Sequence, residues 1–171
     1  MKTLIVYYSR YGNTKKIAHA ISKNFHSNIE EIQDMKDRSK LVNWFMSASN
    51  EELKTPTKIK TPEKNPSDYN LVIIGTPIWD GITPAIKEYL KMYKSKFKKV
   101  AFFSTFGASA DDAFYKMEKI INKKPIATLG VQDRQITKKE YKNRVKEFCA
   151  EIKKNLWLSL QTFPTNFLLL K

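Results

Sequence analysis

The sequence contains little cysteine and no long apolar run, which argues against a disulfide-stabilised protein and against a membrane-spanning one. Cys149 is the single cysteine among 171 residues, so no internal disulfide can form. A chain without disulfides fits a reducing compartment, and we expect a cytoplasmic protein. No stretch approaches the roughly 20 apolar residues of a membrane-spanning helix. The apolar run at the N-terminus is too short for a secretory signal.

Histidines and the common phosphate-binding motifs are also scarce or absent. The two histidines, His19 and His26, fall in the first predicted helix, where we interpret them as structural or surface residues. The chain has no Cys/His set at metal-binding spacing, no Gly-x-Gly-x-x-Gly fingerprint and no Gly-Lys-Ser/Thr loop. Tyr7, Tyr8 and Ser9 end the first predicted strand, where a phosphoacceptor domain would need carboxylates for Mg²⁺. We therefore predict no metal site and assign no catalytic residue.

Acidic residues are outnumbered by basic ones. The 17 Asp and Glu against 31 Lys and Arg give a net charge of +14. A lysine-rich host proteome or growth at high temperature would explain this charge without a role in binding. An acidic partner protein or an anionic membrane surface is the functional alternative. Nucleic acid is not an expected partner, because the recognised motifs and interleaved aromatic residues are missing.

The most informative local pattern is an apolar strand that leads into a small, hydroxyl-rich loop. Leu4–Tyr8 form the predicted strand, Ser9–Asn13 the loop, and a helix begins at about Thr14. Backbone N–H groups and the positive end of the helix dipole would meet there, which suits a phosphate. Gly12 tolerates the backbone angles that such a loop requires. An ordinary strand–helix turn with a good cap is the alternative interpretation.

A second apolar strand, Leu71–Gly75, also leads into a loop suited to ligand binding. The loop Thr76–Thr83 carries a large flat aromatic, Trp79, and Pro84 then suits the first turn of a helix. In an open parallel sheet, ligands bind at the carboxyl ends of the strands. A phosphate loop beside a flat aromatic side chain suggests a nucleotide-like ligand with a planar ring.

Three segments resemble those that bind the cofactor in flavodoxins. Ser9–Thr14 resembles the flavodoxin phosphate loop, and Gly75–Trp79 resembles the first flavin-ring loop. Phe102–Ser109 falls where the second ring loop is expected. The resemblance covers residues 1 to about 154. It implies an α/β fold with a doubly wound, five-stranded parallel sheet in the order 2-1-3-4-5.

The resemblance also implies FMN as the cofactor. The phosphate would lie on the first loop and the isoalloxazine between the other two, with Trp79 on one face and Phe106 at the other face or edge. Tyr11 stands where flavodoxins usually have Thr, so one phosphate hydrogen bond is lost or Arg10 replaces it. The residues assigned to the cofactor are Ser9, Arg10, Tyr11, Gly12, Asn13, Thr14, Thr76, Pro77, Ile78, Trp79, Asp80, Gly81, Thr105, Phe106, Gly107 and Ala108. By the same resemblance, the Asp80–Gly81 peptide would reorient beside the ring and stabilise its one-electron state.

The remaining elements follow from the alternation of apolar and polar residues. Strands are predicted over 3–8, 28–33, 70–75, 99–104 and 125–131, and helices over 14–26, 84–95, 110–123 and 138–155. Ser109 and Thr137 are the expected caps of the last two helices. Leu41–Met46 are predicted to form a short helix over the sheet, or else to cover a ring or substrate.

The chain is predicted to consist of one domain followed by a C-terminal extension. Residues 1–155 form the flavodoxin-like domain, and residues 156–171 form an apolar extension. In water this extension must be buried against its own domain, against a second copy in a homodimer, or on a membrane surface.

Three functions stay open on the sequence alone. The first is an FMN-binding electron-transfer protein with a redox partner; an acidic partner is one of the explanations of the net charge given above. The second is an FMN-dependent oxidoreductase, either an NAD(P)H:quinone reductase or a protoporphyrinogen-oxidase-like enzyme, because segment 36–69 and the extension could form a substrate pocket. The third is a flavin-free binding module on the same fold.

Overall fold

The computed structural model describes residues 1–35, 57–79, 81–110 and 112–161. Three predictions fall outside the described residues: the short helix Leu41–Met46, the cofactor residue Asp80, and residues 162–171 of the extension.

Five parallel strands form one sheet in the order β2-β1-β3-β4-β5, which confirms the predicted fold and strand order. The strands are β1 (Thr3–Tyr7), β2 (Asn28–Glu31), β3 (Leu71–Ile78), β4 (Val100–Phe106) and β5 (Thr128–Gln132). Leu4 pairs with Val72 and Tyr7 with Gly75, so β1 and β3 lie side by side although they are distant in sequence. The loops that follow these two strands therefore leave the same edge of the sheet next to one another.

Helices cover both faces of the sheet, which explains the continuous apolar runs of its central strands. The helices are α1 (Asn13–Ser22), α2 (Pro84–Tyr93), α3 (Ala113–Ile121), α4 (Asp133–Thr137) and α5 (Tyr141–Gln161). Every residue of β1 and β3 is buried, and alternate residues enter opposite hydrophobic clusters. Leu4 and Val72 pack with α2 and α3. Ile5 and Ile73 pack with α1 and α5.

The helix predicted over 138–155 corresponds to α5, which begins at Tyr141, and a separate short helix, α4, precedes it. The short helix α4 follows β5 directly, because the side chains of Gln132 and Gln135 form a capping box at its start. Thr137 is the last residue of α4 and does not cap a longer helix. The prediction missed α4 because five residues are too few to show a helical period.

Other boundaries differ by a few residues. The predicted cap Ser109 was wrong, since α3 begins at Ala113 with Asp112 at the N-cap position. β3 continues through Thr76–Ile78 and β4 through Phe106, so both strands reach further toward the carboxyl edge than predicted. The longer strands hold the start of each predicted ring loop in the sheet.

The first part of the predicted extension continues the last helix, because α5 ends at Gln161. Leu156 packs against the core, whereas Trp157 and Leu158 are exposed to 59% and 44%. No helix in the described ranges is both long enough and apolar enough to cross a membrane.

Gly75 lies against the ring of Phe103, and this contact yields a stability prediction. A Cβ at Gly75 would lie 2.0 Å from Phe103 Cζ, closer than two non-bonded carbon atoms can approach. We expect Gly75→Ala to lower the free energy of unfolding by about 1–3 kcal/mol, measured by urea denaturation.

The double variant Gly75→Ala/Phe103→Leu is the matched control for that contact. Leu removes the ring atoms that the new methyl group would meet. Gly75→Ala should therefore lower the free energy of unfolding less in the Phe103→Leu background than in the wild type. A single Gly75→Ala variant as stable as the wild type would contradict the packing described here.

Candidate functional site

A narrow cleft of about 40 Å³ opens at the carboxyl edge of the sheet, between the loops that follow β1 and β3. The ends of β3 and β4 and the start of α4 complete its walls. Its lining residues are Ser9, Arg10, Tyr11, Asn13, Thr14, Pro77, Ile78, Trp79, Thr105, Phe106 and Asp133. Ten of these residues belong to the cofactor set predicted from the sequence, and Asp133 does not.

The loop before α1 has the backbone geometry of an anion-binding turn. Gly12 takes a left-handed φ of 85° at the N-cap of α1, and apart from its chain neighbours no described residue has a heavy atom within 4 Å of where its Cβ would be. Lys15 N–H donates to Ser9 Oγ at 3.2 Å and Lys16 N–H to Gly12 O at 2.9 Å. The first N–H groups of a helix have no intrahelical acceptor. Among the described residues none accepts from the N–H of Asn13 or Thr14.

A buried hydrogen bond fastens this loop to the middle of the sheet. Thr14 Oγ1 and Thr105 Oγ1 are 2.8 Å apart, and both residues are almost fully buried. The bond joins the first turn of α1 to the end of β4. It therefore fixes the position of the predicted phosphate loop relative to the predicted second ring loop.

Three side chains close the mouth of the cleft. The rings of Tyr11 and Trp79 meet edge to face, with centroids 6.0 Å apart and planes at 61°. The Arg10 guanidinium carbon lies 5.4 Å from the Tyr11 centroid and 5.8 Å from the Trp79 centroid, within the range of cation–π attraction. Arg10 therefore lies over the aromatic rings in this conformation.

The second ring loop presents a single aromatic side chain to the cleft. Phe106 lines the cleft, and a Cβ added at Gly130 would lie 3.0 Å from its Cε1, so the ring also leans against β5. Gly107 and Ala108, which were predicted to contact the cofactor, do not line the cleft. Gln132 Nε2 instead donates to Gly107 O at 2.8 Å and holds that backbone toward β5.

The first ring loop is closed by a tight antiparallel bridge. Ile78 pairs with Ile82, and Gly81 between them takes a left-handed φ of 97° with open space around it. Thr76 is fully buried and shares a 3.0 Å hydrogen bond with Thr83 across the base of the loop. Thr76 thus supports the loop from beneath and does not line the cleft.

Asp133 forms part of the cleft wall and was not among the predicted cofactor residues. Asn13 Nδ2 donates to Asp133 Oδ1 at 2.8 Å, which links the start of α1 to the start of α4. One signal could have found it: Asp133 lies two residues after the strand predicted over 125–131, and all parallel strands end at the same edge of the sheet.

Two ionisable groups outside the cleft are held in their neutral forms. Burial, aided by the negative charge of Glu31, raises the pKa of Tyr7 far above its usual value, and the phenol donates to Glu31 Oε2 at 3.0 Å. Burial raises the pKa of the Cys149 thiol to about 11, although Lys153 opposes the shift. Neither group supplies an anion at neutral pH. Within the described part of the chain, no three His, Cys, Asp or Glu converge as a metal site.

The left-handed Gly12 yields a prediction about the loop. Because any Cβ is disfavoured at this φ, Gly12→Ala should lower the free energy of unfolding by about 1–2 kcal/mol. Gly12→Asn should cost less, since Asn visits the left-handed region more readily, and Gly107→Ala should cost little because its φ is not positive. Urea denaturation of the three variants measures this order, and equal stability of Gly12→Ala and wild type would contradict it.

Known proteins share both the sequence pattern and the fold. A family model described as Flavodoxin matches residues 2–149. The flavodoxin-like domain-containing protein BilS of Clostridioides difficile (strain CD3) is 32% identical over 129 residues, which are 72% of this chain. The chain spans 60% of the length of that relative.

Solved structures agree with the fold. The flavoprotein of Lactobacillus acidophilus NCFM, solved in complex with FMN, is 23% identical with a TM-score of 0.56, over 80% of this chain and 97% of that one. Its apo form gives 24% identity and a TM-score of 0.60, over 80% and 95%. Since the family model covers most of the chain, this protein belongs to the flavodoxin family.

Proposed function

We propose that this flavodoxin binds FMN in the cleft between the loops after β1 and β3, and that it transfers electrons one at a time to a partner protein. Family membership and the FMN-bound neighbour both support FMN as the cofactor. The single observation that carries the proposal is the open N-terminus of α1, where no described residue accepts from the N–H groups of Asn13 and Thr14, in the same cleft that Trp79 lines.

The residues of the cleft fit the two ends of FMN. Two backbone N–H groups, the Ser9 hydroxyl and the dipole of the ten-residue helix α1 suit a phosphate. The open space at Gly12 and at Gly81 admits a ligand close to the backbone on both loops. Trp79 offers a flat surface for a conjugated ring. When bound, FMN supplies the redox chemistry, and the protein supplies its binding and orientation.

The size of the cleft implies a change on binding. Its volume of about 40 Å³ is far below the roughly 300–1,000 Å³ of typical ligand pockets. We infer that Arg10 and Tyr11 move away from Trp79 when the ring enters. The guanidinium of Arg10 would then form a charge-assisted bond to the phosphate, in place of the usual Thr hydroxyl.

The charges around the cleft support an acidic partner. Arg10, Lys15 and Lys16 lie on or beside the loop that would hold the phosphate, and the whole chain carries +14. The half-exposed Lys15 forms a 2.9 Å ion pair with Glu31. A partner with an acidic surface would be steered toward this edge, and the association would weaken as salt increases.

Flavin binding is tested by comparing two tryptophans. Trp79→Ala should raise the dissociation constant for FMN by roughly 5- to 150-fold, since the stacking of one ring contributes about 1–3 kcal/mol. Trp157→Ala is the matched control, because Trp157 is exposed on α5 and takes no part in the cleft. Quenching of flavin fluorescence measures both variants. Equal losses for the two, or no binding by the wild type, would contradict the proposed site.

Electron transfer is tested by anaerobic titration of the FMN-loaded protein, first with dithionite and then with NAD(P)H. We expect dithionite to reduce the flavin and NAD(P)H alone to leave it oxidised, because a carrier depends on its partner for electrons. Rapid reduction by NAD(P)H followed by turnover with a quinone would contradict the carrier role and favour the oxidoreductase.

A further inference from the structure

We propose that Asp133 lowers the affinity of the cleft for the phosphate of FMN, so that FMN is an exchangeable ligand of this protein. The inference rests on the FMN site proposed above. The observation behind it is the 2.8 Å hydrogen bond between Asn13 Nδ2 and Asp133 Oδ1 at the start of α1.

Asp133 occupies a place where a phosphate-binding cleft would gain from a neutral or cationic residue. It lines the same cleft as Ser9, Asn13 and Thr14, on the wall that the start of α4 contributes. No ion pair to its carboxylate is present within the described part of the chain. Its negative charge therefore opposes a phosphate dianion in the cleft.

The same carboxylate takes up a donor that the phosphate could use. A neutral Asn side chain has two N–H donors, and Asp133 accepts one of those of Asn13. The bond also fixes the orientation of the amide, with its nitrogen toward α4. A phosphate that enters the cleft must either bind only the remaining donors of the loop or compete with Asp133 for the Asn13 side-chain N–H.

Both effects act at the phosphate end of the cleft, where Asp133 is bonded to Asn13. Asp133 Oδ2 also lies 3.9 Å from where a Cβ of Gly107 would be, so the riboflavin comparison measures any effect of the carboxylate on the ring. The contacts that would hold the ring come from Trp79 and Phe106, which belong to other walls of the cleft. Asp133 should therefore reduce the affinity for FMN relative to riboflavin, which lacks the phosphate. It should also speed the dissociation of FMN, because affinity differences at one site appear mainly in the off-rate.

The test compares Asp133→Asn with the wild type, using FMN and riboflavin as the two ligands. Asn keeps the size of Asp and an oxygen that can accept from Asn13, so the loop should keep its conformation. We expect the dissociation constant for FMN to fall about tenfold and that for riboflavin to change less than about twofold. The FMN effect should shrink at high salt, which a purely structural effect would not do.

Two further variants separate the causes. Glu151→Gln removes the same charge from an exposed position on α5 and should leave both constants unchanged. Asn13→Ala removes the shared donor. In the wild-type background Asp133→Asn replaces a carboxylate acceptor by a weaker amide acceptor, so the Asn13 donor is more easily transferred to the phosphate. In the Asn13→Ala background that contribution is absent, so Asp133→Asn should give a smaller gain for FMN, from the charge alone.

The outcomes distinguish this inference from the proposed function. Wild-type protein that binds FMN, with an Asp133→Asn variant that binds it no more tightly, overturns the role of Asp133 and leaves the flavin site standing. Protein that binds neither flavin, in wild type and variant alike, overturns the FMN site and this inference with it.

Discussion

The function of this fold depends on the pairing of β1 with β3 at the centre of the sheet. Tyr7 lies opposite Gly75, so two loops from distant parts of the chain leave the sheet side by side. One loop ends in the N-terminus of α1 and the other carries Trp79. The register is set by burial on both faces, since a slip of one residue would exchange the two hydrophobic clusters.

The cleft is held together by polar links between elements, and these are few and specific. The Thr14–Thr105 bond joins α1 to β4, the Asn13–Asp133 bond joins α1 to α4, and Thr76 with Thr83 closes the base of the ring loop. Each link lies at the carboxyl edge, where the hydrophobic core ends. Buried hydroxyl pairs of this kind are costly to break, because each partner would be left unsatisfied. They give the loops defined positions before any ligand arrives.

The residues predicted a parallel sheet and the two loops that line most of the cleft, whereas the strand order came from the resemblance to flavodoxins. Apolar runs such as Leu71–Ile74 can be buried on both faces only in a parallel sheet, and Gly12 before a helix marks a left-handed turn. Asp133 was not predicted as a cleft residue, because its role depends on a contact with Asn13, which is 120 positions away. Thr76 was placed in the cleft because the end of β3 could not be predicted from a strand that runs into Pro77.

The placement of the flavin site is tested most directly by an NMR titration of ¹⁵N-labelled protein with FMN. Our account predicts the largest amide shifts at Gly12, Asn13 and Thr14 and at Gly81 and Ile82, on the two loops that β1 and β3 bring together. Shifts concentrated at the opposite edge of the sheet, around Asn70 and Lys99, would contradict it.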